Sequence, residues 1–164
     1  MFTGEQGLIK DLAETDIFAG LSSYHLEKIA EICTLRIYHA GEHCARQGTV
    51  TDELGIVDEG EFVVEIRIEV PPYTQTLNVA TLTKGNVFAW SALVEPRVLT
   101  ASIKCIGESR AYHIKASDLQ RIFRESPSVE QVVMKNLAIV VSSRLRDSWR
   151  HMARLIAEMI KQAR

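Results

Sequence analysis

The chain has 164 residues, 46% hydrophobic and 24% charged, with a formal net charge of −2. That length makes one domain with a full core, the composition argues against disorder, and the near-neutral charge gives no general pull toward nucleic acid or membrane. Cys33, Cys44 and Cys105 are odd in number, far apart and without C-x-x-C spacing, which fits a reducing cytoplasm better than a disulfide framework. No apolar run approaches the roughly 20 residues that span a bilayer, and the start MFTGEQGLIKDL carries acids where a signal peptide needs an apolar core. The expectation is a cytoplasmic protein with no membrane partner.

The elements read as helix, then many strands, then helix. GEQGLIKDLAETD has the spacing of a short amphipathic helix. After IFAGL, Ser22 or Ser23 can cap a second helix, whose Leu26, Ile29, Ala30 and Cys33 fall on one face. From Thr34 the period changes to two. In EFVVEIRIEV, Phe62, Val64, Ile66, Ile68 and Val70 share one face, and Glu61, Glu65, Arg67 and Glu69 dominate the other, with Val63 the exception. Glycines at 41, 48, 60, 85 and 107 punctuate short strands, and Asp58-Glu59-Gly60-Glu61 reads as a hairpin turn. Pro71-Pro72 ends the long strand. Short strands at this spacing predict a mainly β sandwich, roll or barrel with flanking helices.

Beyond Ile114 the helical period returns. Ser117 is placed to cap DLQRIFRES, with Leu119, Ile122 and Phe123 inward, and Pro127 suits the first turn of a helix with no breaker through to Arg164. In that helix Met134, Ala138, Val141, Leu145, Ser148, Met152, Leu155 and Met159 form a heptad seam. The seam predicts a homodimer through residues 134–159, with Ser148 its single polar group. Val133, Leu137 and Val140 make a second stripe suited to folding back on the chain's own sheet. The division expected is 1–126 for the N-terminal helices, strands and short helix, and 127–164 for a long helix of the same domain.

Five segments in register resemble the cyclic-nucleotide-binding domain family, over roughly Ile17 to Leu145: DIFAGLSSYHLEKIAEIC, YHAGEHCARQG, ELGIVDEGEFVV, LTKGNVFAW and AYHIKASDLQRIF. The resemblance implies an eight-stranded β-roll, jelly-roll-like, flanked by N-terminal helices and a long C-terminal dimerisation helix. Ligand would sit between roll and long helix. The family's phosphate cassette reads approximately Phe-Gly-Glu-Leu-Ala-Leu, a loop, then Arg followed by small residues. In the family its glycine lets backbone N–H groups approach the cyclic phosphate, its glutamate accepts from the ribose hydroxyl, and its arginine neutralises the phosphate.

FAWSALVEPRVLTASI occupies that position and departs from the pattern. Phe88 and Ala92-Leu93 match, Ala89 replaces glycine, Trp90 replaces glutamate, and Leu99 stands where the arginine belongs, before Thr100-Ala101-Ser102. Losing both charged groups should weaken a cyclic nucleotide by roughly two to four decades, so cyclic AMP or cyclic GMP is a disfavoured ligand and no cofactor is implied with certainty. A loop shortened by two residues would instead bring Arg97 to the phosphate position with side-chain parity kept, whereas the ungapped alignment leaves Pro96-Arg97 as a solvent-exposed turn. Trp90 either plugs the emptied pocket, stacks on a flat ligand beside Arg97 or Ser91, or packs outward on a dimer partner. The candidate ligand residues are therefore Phe88, Ala89, Trp90, Ser91, Ala92, Arg97, Leu99, Thr100 and Ser102, with Arg144, Leu145, Ser148 and Trp149 on the long helix.

Other constellations carry less. His39-Ala-Gly-Glu-His43 has a metal-like spacing, but Gly41 breaks the helix face a zincin pair needs, so both read as exposed turn histidines. His25, His113 and His151 read as isolated, and Cys44 as a buried core thiol. No P-loop, G-x-S-x-G or paired-carboxylate pattern is present, which implies neither catalysis nor a metal site. Arg144, Arg146, Arg150, Arg154, Lys161 and Arg164 flank the seam as its solvated charges. Without a helix-turn-helix after the long helix, direct DNA binding is not expected. The function implied is a non-enzymatic, dimeric sensor that takes a small-molecule or anionic ligand in an altered pocket. The alternatives are an interaction dimer with a closed pocket, or the sensory part of a transcription regulator.

Overall fold

The computed structural model describes residues 2–163. Helix α1 (Phe2–Ala13) and α2 (Ser23–Ala30) precede eight strands. These are β1 (Cys33–Tyr38), β2 (His43–Ala45), β3 (Glu53–Glu59), β4 (Phe62–Val70), β5 (Tyr73–Leu82), β6 (Val87–Phe88), β7 (Ser102–Cys105) and β8 (Ser109–Lys115). A short 3-10 turn, Trp90–Leu93, follows β6, and α3 (Ala116–Glu125) and α4 (Pro127–Gln162) close the chain. The strands form two four-stranded antiparallel sheets, ordered β1-β8-β3-β6 and β2-β7-β4-β5. The mainly β roll with flanking helices is thus the architecture observed.

Burial alternates as the strand period requires. On β3, Leu54 and Ile56 point to the helices and Val57 points into the roll, so both faces of this central strand are covered. The helix-side core joins Leu12, Ile17, Phe18 and Ile29 to Leu119, Val133 and Leu137. The core inside the roll joins Phe62, Leu82, Phe88, Leu99 and Ile103. At full burial each such side chain contributes roughly 1.5–3 kcal/mol before entropy is subtracted. The β3–β4 turn needs its glycine twice over: Gly60 has φ +85°, and a Cβ there would collide with Ser109.

Local signals explain the helix starts, with one correction. Ser22 caps α2, its Oγ accepting from the His25 N–H at 3.4 Å. Pro127 occupies the first turn of α4. Ser117 does not cap α3, which begins at Ala116 with Lys115 at the cap position. The Ala116 N–H donates to the Asp52 carbonyl at 2.8 Å, so the β3–β8 pairing itself supplies the first partner.

On α4 the two stripes separate cleanly. Val129, Val133, Leu137 and Val140 are buried, while Met134, Val141, Leu145, Met152 and Met159 are exposed. Asn136 fastens the helix to the α1–α2 connection, its Nδ2 donating to the carbonyls of Ile17 (3.1 Å) and Ala19 (2.9 Å). The β4–β5 hairpin departs from the even burial its alternation suggested. Ile68 and Val70 are exposed, because the outer half of the hairpin projects past both cores. Arg164 of the basic series lies outside the described residues.

Candidate ligand-binding site

Strand β6 delivers the cassette into the roll. Val87 and Phe88 pair with Ile56 and Gly55 of β3, and a side chain at Gly55 would overlap the Phe88 ring. Phe88 is thereby laid flat inside the roll, with ring centroids 5.9 Å from Phe62 and 5.8 Å from His113. Ala89 then turns the chain with φ 55° and ψ 32°, the left-handed region, and its carbonyl accepts from the Ala92 N–H at 3.1 Å. This is the position where the cassette pattern has glycine. Alanine here bears the strain of that conformation, roughly 1–2 kcal/mol for an L-residue.

From here the candidate residues divide. Phe88, Ala89, Trp90, Ser91, Leu99 and Thr100 from the roll, with Arg144, Leu145 and Ser148 from α4, line one cavity of about 330 Å³. Ala92 is fully buried behind it. Trp90 forms part of the wall and packs with Leu93 against the helix-side core, so it does not fill the space. Leu99 is held by the loop after β2, donating its N–H to Thr49 and accepting from Gly48.

Arg97, Ser102 and Trp149 lie outside the lining. Arg97 has φ 61° and pairs through Nε with Glu95 at 2.9 Å, in the turn before Leu99. Two residues of separation did not bring it to the pocket, because residues 94–97 form that turn and not a strand. The Ser102 Oγ accepts the Gln47 N–H at 2.9 Å and borders a separate polar depression with His43 and Arg46. Trp149 is 61% exposed.

Reading the sequence alone missed much of the wall: Val79, Ala80 and Leu82 on β5, Ala101, Ile103, and Asp147 on α4. Val79 and Ala80 are neighbours that both reach the cavity, which strict alternation forbids. A register shift opposite Val64 and Glu65 inserts the extra residue that makes it possible. Val64 and Ile66 come from the face of β4 that alternation had already marked.

Polarity in the cavity is graded. Its most buried lining residues, Leu82, Phe88, Leu99 and Ile103, are at most 6% exposed and all apolar. Its polar residues, Ser91, Thr100, Arg144, Asp147 and Ser148, are half-buried or exposed. Asp147 is engaged by Arg150 at 3.3 Å, and among the described residues Arg144 has no ion-pair partner.

Behind Phe88 lies a polar network. His113, 5% exposed, has Nε2 at 2.7 Å from the Tyr38 hydroxyl and Nδ1 at 3.7 Å from Glu53. Arg36 grips Glu53 through both terminal nitrogens at 2.6 and 2.8 Å. Burial pushes the His113 imidazole down to about 4, with the Arg36 charge helping. The Arg36 hydrogen bonds hold Glu53 below the usual carboxylate range. His113 is therefore not isolated; His39 pairs with Glu108 at 2.7 Å and His43 with Glu65 at 3.1 Å, whereas His25 and His151 meet only Ser22 and Arg154, each at 3.0 Å. His39 is an exposed turn residue as expected, whereas His43 opens β2 and is half-buried. Cys44 is half-buried rather than fully buried, and burial pushes its thiol up to about 12, which makes it an inert thiol. Among the described residues, no group of three or more His, Cys, Asp or Glu side chains is placed to hold a metal ion. Among them, no helix is long and apolar enough to cross a membrane.

Comparison with known proteins agrees with this geometry. The family model described as cyclic nucleotide-binding domain matches residues 35–126. Glutaminase 1 of Bradyrhizobium diazoefficiens is 28% identical over 135 residues, 82% of this chain and 21% of that protein. The cAMP-dependent protein kinase regulatory subunit of Schizosaccharomyces pombe is 31% identical over 93 residues, 57% of this chain and 21% of that protein. A cyclic nucleotide-binding domain from Methylobacillus flagellatus superposes with a TM-score of 0.77 at 13% identity, covering 92% of this chain and 83% of that one. The chain thus spans about a fifth of the length of the two curated relatives.

Proposed function

The chain belongs to the cyclic nucleotide-binding domain family, and from that premise we propose that it is a non-enzymatic, dimeric regulatory module acting in the cytoplasm. Its pocket is altered so that a small molecule other than a cyclic nucleotide in the standard pose is its signal. One observation carries the reading: Val141, Leu145 and Ser148 of α4 line the cavity and also belong to the heptad seam. A ligand that favours one placement of these residues shifts the dimer arrangement by its differential affinity alone. The apolar groups that α4 exposes at Met134, Leu145, Met152 and Met159 support a second copy of the helix as their cover. The free thiols Cys33, Cys44 and Cys105 fit a reducing compartment.

The unfilled cavity weighs against an interaction dimer with a closed pocket. A sensory segment of a longer transcription regulator is the remaining alternative, and the reading frame around these residues decides it. The main test is thermal denaturation and sedimentation with cyclic AMP, cyclic GMP and a library of small organic acids. A dimeric mass is expected, with no shift from millimolar cyclic nucleotide and a shift from at least one acid. A monomer that no compound stabilises overturns the reading.

A further inference from the structure

The graded cavity indicates the kind of molecule it takes, on the reading that the module is a ligand sensor. Depth and polarity run together here: Leu82, Phe88, Leu99 and Ile103 are the most buried parts of the lining, and its charged groups stand at the α4 side. A nucleoside placed there would set ribose hydroxyls and ring nitrogens against aliphatic carbon, and every donor left unsatisfied on burial is costly. A hydrocarbon or aromatic body meets no such penalty, and Trp90 and Phe88 offer it rings to lie against. The volume of about 330 Å³ is at the small end of ligand sites, roughly 300–1,000 Å³.

Charge is equally one-sided. Arg144 is half-buried at the edge of the cavity and is without an ion-pair partner among the described residues, while Asp147 is already engaged by Arg150. A planar guanidinium in this setting suits a single carboxylate or sulfonate, which it binds through two parallel hydrogen bonds. We propose that the cavity binds a small amphiphilic monoanion, an organic acid with a flat apolar body. The body lies inward against Phe88, Trp90 and Leu99, and the acid group rests on Arg144.

Two dyes of one skeleton test this. 1-Anilinonaphthalene-8-sulfonate carries the acid, and N-phenyl-1-naphthylamine is the same molecule without it. Both are titrated by fluorescence into the full chain and into its Arg144→Ala and Arg146→Ala variants; Arg146 is an exposed α4 residue outside the lining. Both dyes are expected to saturate at one per chain. Arg144→Ala should weaken the sulfonate about 10- to 100-fold and leave the neutral dye within about twofold, and Arg146→Ala should change neither. Equal losses in the two variants would place the dye on the helix surface and overturn the proposal. So would a silent Arg144→Ala, or tighter binding of cyclic AMP than of the sulfonate. A silent Arg144→Ala with one dye per chain, or tighter cyclic AMP, still supports a sensor with a different ligand anchor, whereas dye on the helix surface or no saturable binding of either dye removes the sensor reading as well.

Discussion

The Tyr38 hydroxyl lies 2.7 Å from Nε2 of His113, a histidine only 5% exposed on the strand beside its own. The contact holds the ring edge-on to Phe88 and so braces the first residue of the cassette. Because the imidazole stays neutral down to about pH 4, the network carries a pH signature.

Between pH 6.5 and 4 the unfolded chain binds a proton at His113 that the folded chain refuses. Stability is therefore full above the unfolded value and is lost as pH falls through this window, by an amount on the order of 3 kcal/mol. Glu53, held low by Arg36, acts in the same direction further down: its contribution is present above its unfolded value and disappears on acidification. Urea denaturation at pH 7, 6, 5 and 4.5 should give a steadily falling unfolding free energy. In His113→Gln the fall between pH 6.5 and 4.5 should be distinctly shallower, and an identical slope would remove His113 from the account.

Ala89 predicts a gain. Its left-handed backbone costs an L-residue roughly 1–2 kcal/mol, and the extra freedom of glycine in the unfolded chain returns about 0.5–1 kcal/mol of that. Ala89→Gly should therefore stabilise the fold by roughly 0.5–1 kcal/mol and raise Tm by about 2 °C. Differential scanning calorimetry measures it, and a lower Tm would mean that the methyl group is packed in a way that outweighs the strain.

The proposed dimer is tested at residues clear of the cavity. Met152→Glu with Met159→Glu places two carboxylates on the exposed apolar stripe of α4. The doubled variant should raise the dimer dissociation constant at least about 100-fold and leave Tm of the roll nearly unchanged. Sedimentation equilibrium should show the mass falling to that of a single chain. A mass unchanged by both charges would exclude this seam.

Restoring the family's cassette should restore its ligand. The triple variant Ala89→Gly, Trp90→Glu, Leu99→Arg supplies the glycine, acid and cation that the resemblance assigns to phosphate and ribose. Calorimetric titration should find cyclic AMP bound about 100- to 10,000-fold more tightly than by the parent chain. Leu99→Arg alone should instead destabilise the chain, since it puts an unpaired guanidinium at a position 6% exposed. If the parent binds cyclic AMP as well as the triple variant, the substitutions do not define the pocket.

What could be read in the sequence was whatever is local. Ser22 before α2, Pro127 at the start of α4, and the separate stripes of Val133-Leu137-Val140 and Met134-Val141-Leu145 declare themselves within one or two helical turns. The left-handed backbone at Ala89, where the resemblance puts a glycine, has no mark in the residue itself, which is alanine. Pairings made across the chain were not legible either. Tyr38 and His113 are 75 residues apart, and Asn136 reaches back 119 residues to the Ile17 carbonyl. Nothing in the neighbourhood of either residue marks such a partner. The cavity wall at Val79 and Ala80 depends on a register shift, a property of how two strands meet rather than of either strand's pattern.

Helix α4 is rooted only over its first part: its last buried residue is Val140, and it runs on to Gln162. At about 1.5 Å per residue, the portion beyond Val140 reaches roughly 33 Å past that root. On the proposed sensor reading it would act as a lever with its fulcrum beside the cavity, where a tilt of only about 10° at Val140 would sweep the far end through roughly 6 Å. A change at the pocket too small to disturb the packing of the roll would then be large at Gln162.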